Sequence, residues 1–330
     1  MNKRNWQIGR PALQALGAIV LLLAALAAGQ TRAAWPEHTI TLIVPFPPGG
    51  PTDLLGRLLA AELTTRLGNT VVVENRAGAA GNIGIATAAR ATPDGYTLMV
   101  VTGVLLINPN VAKVNYDPVK DFEPIAYLGA SPNVIVTRPA TGITSIPDLI
   151  AKAKANPGKL TYATAGVGSL SHLAVEFVKL RAGIEMIHVP YSGAVPALQA
   201  AMSGTTDIAS VPIANLIGHI RAGTLKALVQ TGSDHWVDMP DVPTMAEAGI
   251  PNAVVETEQY FLAPAHTPAP IVKRLTEETN AVLQNPEVKA KMLKAGFLVK
   301  YEGPDGLRAR IVRELPMWKE VVARAGIGTK

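Results

Sequence analysis

The chain has 330 residues, 48% of them hydrophobic and 17% charged, with 30 Lys and Arg against 25 Asp and Glu. Such a composition is globular and excludes intrinsic disorder, and the length fits one large domain or two of ordinary size. With no cysteine, disulfides, thiolate chemistry and a lipid-modified cysteine are all excluded, so the core alone must hold the fold.

The first 34 residues stand apart. MNKRNWQIGR is a basic start, LQALGAIVLLLAALAAG is an apolar run, and small residues follow at Ala33 and Ala34. This is the three-part plan of a cleaved secretory signal peptide. A membrane anchor is the alternative, because Ala12 to Gly29 is nearly long enough to span a bilayer. The A-x-A-like site favours cleavage and a product free in the periplasm. Residues 1–34 hold Lys3, Arg4, Arg10 and Arg32 and no acid, which leaves 26 cations against 25 anions in the mature chain. A net charge near +1 gives no footprint for nucleic acid.

Beyond residue 35 the pattern alternates. HTITLIVPF (38–46) reads as a strand, DLLGRLLAAELTTRLG as a helix with leucines at helical spacing, TVVVENR as a strand, GNIGIATAARA as a helix and YTLMVVTG as a strand. That βαβαβ order argues for a parallel sheet with right-handed crossovers. A second series begins with the strand NVIVTRP. SIPDLIAKAKANPG follows as a helix with Ser145 at its N-cap, Pro147 in its first turn and Asp148 three residues on. KLTYATA, EMIHVPY, TDIASV and LKALVQTG read as strands separated by helices, and from about residue 268 the tail is mostly helical around FLVKY. Two α/β units are expected, with the tail packed back on the first and two segments crossing between them.

Four strand-to-helix loops are poor in bulky charge: PFPPGGPTD (45–53), NRAGAAGNIG (75–84), TAGVGSLSH (164–172) and VPYSGAVPA (189–197). In parallel α/β sheets ligands sit beyond the carboxyl ends of the strands. There a Gly-rich turn exposes backbone N–H groups, and the helix dipole favours an anion. GGPTDLLG lacks the Lys-Ser/Thr of a phosphate loop, and GAAGNIG is not the dinucleotide fingerprint. No cofactor is therefore expected. Ser169 and His172 fall in GVGSLSH, which is not a hydrolase nucleophile elbow, and Ser169 reads better as an N-cap. The six histidines show no metal-ligand spacing, so neither a catalytic set nor a metal site is expected. Asp53 has two open readings: a first-turn acid favoured by the helix dipole, or a group facing a ligand donor.

At these loops the chain resembles a known family. PFPPGGPTDLLGRLLA, VVENRAGAAGNIG, INPNV…YDPVKDFEPI, GVGSLSHLAVE, HVPYSGAVPALQ and DVPTMAEAGIP, in that order, are similar to the Bug family of extracytoplasmic solute receptors of tripartite tricarboxylate transporters. The likeness runs from about residue 36 to the C-terminus. It implies a type II, two-lobed periplasmic-binding-protein-like fold, each lobe a mainly parallel sheet flanked by helices. Lobe 1 would comprise residues 35–137 and 258–330, and lobe 2 residues 138–257. The cleft between them would close on a small carboxylated solute and deliver it to membrane permease subunits.

The resemblance further implies that one carboxylate is held near the first loop, by Phe46, Gly49, Gly50, Pro51, Thr52 and Asp53, with Thr102 at the end of the third strand. The second lobe would answer with Gly166, Gly168, Ser169 and His172, beside Tyr191, Ser192 and Gly193. ETEQYFLAPAHTP departs from the family's W-x-G-x-x-A-P-A-G-T-P, placing Glu258 and Tyr260 where Trp and Gly are usual. These two are expected to reshape the distal end of the pocket. A monomer is expected. The other readings are a receptor that signals to a membrane sensor and an exported hydrolase using Ser169 and His172.

Overall fold

The computed structural model describes residues 35–251 and 253–327, and all elements below belong to one unit that begins at His38. The expected signal peptide and its cleavage point lie outside the described residues. Among the described residues no helix is long and apolar enough to cross a membrane.

The N-terminal part builds as its sequence periodicity dictates, except for its third helix, which the sequence did not announce. Strand β1 (Ile40–Val44) leads into α1 (Pro51–Leu67), β2 (Val71–Asn75) into α2 (Asn82–Ala89), and β3 (Thr97–Thr102) into α3 (Val104–Val111). Strands β2, β1 and β3 lie side by side and parallel. Helix α1 buries Leu55, Leu59 and Leu63 and stops at Gly68 in the left-handed conformation, the usual glycine C-cap.

Strand β4 (Phe122–Thr137) is 16 residues long and belongs to two sheets. Its first part, Phe122–Pro132, pairs antiparallel with β9 (Glu256–Pro264), which also pairs antiparallel with β3. Its last residues, Asn133–Thr137, pair antiparallel with β7 (Ile208–Pro212), and Val134–Thr137 with β8 (Lys226–Gln230). In the second sheet β5 (Thr161–Thr164) lies parallel to β6 (Ile187–Pro190) and to β7. The connecting helices are α4 (Ile146–Ala155), α5 (Leu170–Ala182), α6 (Ala194–Ser203) and the short α7 (Ile217–Arg221). Ser145 caps α4 as its spacing predicts, accepting a hydrogen bond from the Asp148 amide at 3.2 Å.

The C-terminal part, from Ala269, returns to the first sheet. Helices α8 (Ala269–Gln284) and α9 (Pro286–Lys294) precede β10 (Leu298–Glu302), which pairs antiparallel with β4, and α10 (Pro304–Arg324) ends the described chain. Helix α8 packs on α1 and β4, while α10 packs on α3 and β4 and reaches α5.

The α/β architecture is as expected, with additions. The antiparallel strands β4 and β9 were not legible as a pair, because 122–132 carries Pro124, Gly129 and Pro132, which read as breaks. Its register shifts on β9 on either side of Ala126–Tyr127, and at Gly129 the φ of +145° and a Cβ that would overlap the Leu298 carbonyl oxygen leave room only for glycine. One buried cluster takes in side chains from both sheets and from α5, among them Ile43, Met99, Tyr127, Leu173 and Ile208. A second cluster, with Val134, Ala197, Val211 and Trp236, belongs to the second sheet.

Candidate functional site

The loop between β1 and α1 enters the helix at Gly50, in extended backbone, with Pro51 as the first helical residue. A proline there supplies no N–H. The donors at the helix start are therefore the amides of Gly50, Thr52 and Asp53, and none has an acceptor among the described residues. Unpaired main-chain donors must find water or a ligand.

Asp53 settles the loop rather than facing out of it. Its buried carboxylate accepts from the Gly49 amide at 2.9 Å, from Arg57 Nε at 3.0 Å and from Asn75 Nδ2 at 2.8 Å. Asn75 also donates to the Phe46 carbonyl at 3.0 Å, and its own side-chain oxygen accepts from Arg57 Nη2 at 3.0 Å. Both ends of the 46–49 segment are thus stapled to β2 and α1. Burial pushes the Asp53 carboxyl up, but the hydrogen bonds from Arg57, Gly49 and Asn75 outweigh it and hold the group below the usual carboxylate range. The neighbouring 75–84 loop closes tightly on the first: a Cβ at Gly84 would stand 2.7 Å from the Arg76 carbonyl oxygen and 2.8 Å from Pro45 Cβ. Helix α3 ties this loop down through Asn108 Nδ2, which donates to Ala80 O at 2.9 Å and Asn82 Oδ1 at 2.8 Å.

In the second sheet the loop after β5 is organised from within. Ser169 caps α5, accepting from the His172 amide at 3.2 Å and donating to Gly166 O at 2.7 Å. The Gly168 amide donates to His172 Nδ1 at 3.2 Å, and the Gly166 amide to Thr164 Oγ1 at 3.3 Å. The amides left without an acceptor among the described residues are those of Val167, Leu170 and Ser171. Since the His172 ring takes Gly168 and Ser169 Oγ takes main-chain partners and Ser171, no Ser–His nucleophile pair exists here.

Behind that loop stands an aromatic stack. The His172 and His188 rings lie 3.8 Å apart and nearly parallel, and Tyr162 stacks on His188 at 4.8 Å. His188 Nε2 is 2.6 Å from Thr164 Oγ1, so the stack also fixes the strand end. Burial, with His172 beside it, pushes the His188 ring down to about 4. Glu176 closes the stack, accepting from the Tyr162 hydroxyl and from Lys179 Nζ at 2.7 Å. Burial raises its carboxyl, but His172, Lys179 and Tyr162 hold it at about 2. Tyr191 is half-buried, its amide on Thr164 O at 3.0 Å, and Gly193 precedes α6.

Thr102 ends β3 directly opposite Gln259 of β9. Glu258 and Tyr260 alternate with Gln259, so they point to the other face of the strand. There they join a buried network: the Tyr260 hydroxyl donates to Glu258, Arg310 Nη1 bonds Glu258 at 2.8 Å and Glu314 at 2.9 Å, and Arg310 also pairs with Glu302. The Arg310 guanidinium lies 4.3 Å from the Tyr127 ring centroid. Burial and Glu314 push the Glu258 carboxyl well above its usual range, against the pull of Arg310. A cavity of about 400 Å³ adjoins this network, lined by Glu258, Lys300, Arg310 and Trp318 among others. The Glu258 carboxyl group is engaged by Arg310 and by the Tyr260 hydroxyl.

Over residues 55–327 the chain matches the family model for the tripartite tricarboxylate transporter family receptor. The chain belongs to that family. The receptor is 36% identical over 323 residues to BugT of Bordetella pertussis (strain Tohama I), covering 96% of this chain and 98% of that one. MatC of Rhodopseudomonas palustris, solved with bound malate, is 33% identical with a TM-score of 0.72, over 87% of this chain and 100% of its own. Rpa4515 of R. palustris, solved with adipate, is 31% identical with a TM-score of 0.75, over 89% and 99%. The Bug resemblance read from the six motif blocks is thereby borne out, and with it the periplasmic-binding-protein fold class. The chain is a solute-binding receptor, not an enzyme.

Three residues that shape the first loop escaped the sequence reading: Arg57, Asn75 and Gln259. The Gln259 side chain donates to Thr52 Oγ1 at 3.2 Å on the α1 face. Nothing in the sequence ties residue 259 to residue 52. Asn75, by contrast, ends a strand that feeds one of the four bare loops, and that position alone could have raised it.

Proposed function

We propose that the receptor binds a small carboxylate between two lobes, 35–137 with 258–330 and 138–257, in the periplasm, and passes it to a permease of the tripartite type. The observation that carries this is the start of α1. Three amides unpaired among the described residues (Gly50, Thr52 and Asp53) project from a loop that its own residues hold rigid, and the arginine beside it, Arg57, is engaged by Asp53 and Asn75. Such a cradle takes an anion through main-chain N–H groups and the helix dipole. Rigidity reduces the ordering entropy lost on binding. Phe46, Gly49 and Pro51 shape the loop, and Thr102 borders it. The free amides of Val167, Leu170 and Ser171 at α5 form the opposing wall, set by Gly166, Gly168, Ser169 and His172 and flanked by Tyr191 and Gly193. Closure of the lobes brings the two helix starts together on the solute. Malate in MatC and adipate in Rpa4515 are ligands of the same chemical class.

The test is a thermal-shift screen of residues 35–330 against mono-, di- and tricarboxylates, amino acids and aromatic acids. A ligand at about a hundred times its dissociation constant adds roughly 2.7 kcal/mol, which moves the melting point by several degrees. Gly50→Val then checks the place. A Cβ at Gly50 meets only Pro47 O, at 3.6 Å, so the variant should melt near the wild type while losing the shift. Binding equal to wild type would put the site elsewhere.

A further inference from the structure

We infer that Gln259 is a positioning residue for the carboxylate subsite, acting through the Thr52 hydroxyl. The inference rests on the receptor reading above. Gln259 lies on β9 opposite Thr102, and its side chain crosses to the α1 face, away from the Arg310 network that holds Glu258 and Tyr260. Gln259 is fully buried, and its Nε2 donates to Thr52 Oγ1 at 3.2 Å, while its Oε1 has no partner among the described residues. A buried amide with one end unsatisfied is rare enough to need a reason.

What the Nε2 bond does follows from hydroxyl chemistry. A hydroxyl has one proton to give and two lone pairs. With Gln259 on a lone pair, the Thr52 proton is left free, and it has no acceptor among the described residues. Thr52 is the second residue of α1, directly after Pro51, which contributes no N–H. Residue 52 thus presents two donors at the helix start, its amide and its hydroxyl, and the second replaces the one that proline removes. An apolar side chain at 259 would leave the hydroxyl free to turn, and an ionised carboxylate there would draw its proton inward, away from the solute.

Calorimetry with acetate, malate, adipate, citrate, benzoate and glutamate tests this, the tightest binder serving as the probe. Gln259→Leu and Thr52→Val should each weaken that acid about tenfold, the size of one hydrogen bond to a charged group. The double variant should lose no more than either single one, while Thr52→Ser, which keeps the hydroxyl, should recover most of what Thr52→Val loses. Gln259→Glu supplies a readout that a purely structural role would not move. It should bind poorly at pH 8, and its deficit against wild type should shrink toward pH 5 as the new carboxyl takes up a proton and can donate to Thr52. Gln259→Leu binding like wild type, losses that multiply in the double variant, or a deficit of Gln259→Glu that ignores pH would each overturn the assignment while leaving the receptor reading intact. A wild type that binds none of the six acids would remove the carboxylate reading and this inference together.

Discussion

Replacing Asp53 with alanine should loosen the first loop at a cost that can be worked from its contacts. Two donors, the Gly49 amide and Asn75 Nδ2, would lose a buried charged acceptor at 2.9 and 2.8 Å. At about 1.5 kcal/mol each, the low end for hydrogen bonds to charged groups, the loss is about 3 kcal/mol. Arg57 is half exposed and adds at most a few tenths of a kcal/mol. At about 2.1 cal/mol/K of unfolding entropy per residue, residues 38–327 give roughly 0.6 kcal/mol/K, so the melting point should fall about 5 °C. Asp53→Asn keeps shape and one acceptor and should fall about half as far. The sign of the pH dependence is fixed. The folded carboxyl titrates below its unfolded value of about 3.9, so its stabilisation is present above pH 4 and is lost as pH falls through the lower folded value. Calorimetry at pH 7 and at pH 3 therefore should show the gap between wild type and Asp53→Asn narrowing in acid. A melting point for Asp53→Ala within about 1 °C of wild type, or a gap to Asp53→Asn unchanged by acid, would refute the staple.

Glu176, held at about 2 against an ordinary 4.5, contributes stability above pH 4.5 that is lost between there and pH 2, on the order of 2–3 kcal/mol. Acid unfolding of Glu176→Gln should accordingly be flatter than that of wild type across this window. Arg310→Met strips the cation from Glu258, Glu302 and Glu314 and should cost about 3–5 kcal/mol at pH 7 in urea unfolding. The loss should shrink as pH falls, because burial and Glu314 already hold the Glu258 carboxyl well above its ordinary range, and a pH-independent loss would point to packing alone. Gly84→Ala forces a methyl against Arg76 O and Pro45, so a destabilisation of about 1–3 kcal/mol is expected, together with weaker solute binding because Pro45 anchors the first loop.

Much of the scaffold could be read before any coordinate. Periodicity located the leucine face of α1, the Ser145 cap of α4 and the four bare loops, because each depends on residues close in sequence. The motif blocks carried the family. What stayed hidden depends on distant partners. The first part of β4 looked broken because its prolines and glycine are tolerated only through register shifts and the close approach of β10. Helix α3, with Pro109 inside it, was missed for a related reason. Asp53 was left between two readings, and its three hydrogen-bond partners resolve it, one of them 22 residues away. Glu258 and Tyr260 drew attention as departures from the family pattern, but β-strand alternation turns both toward Arg310 and gives the α1 face to Gln259, which no motif marked.

The placement of β9 between β3 and β4 has a consequence for the order of assembly. The ribosome finishes β1 to β3 long before it reaches residue 264, and until then β3 keeps an open edge that no earlier strand can cover. The nascent chain therefore carries an incomplete first sheet through most of its synthesis, and an exposed strand edge is a template for wrong pairing. Whatever accompanies the chain before it folds must shield that edge, and truncation anywhere before β9 should yield a protein that aggregates rather than half a receptor.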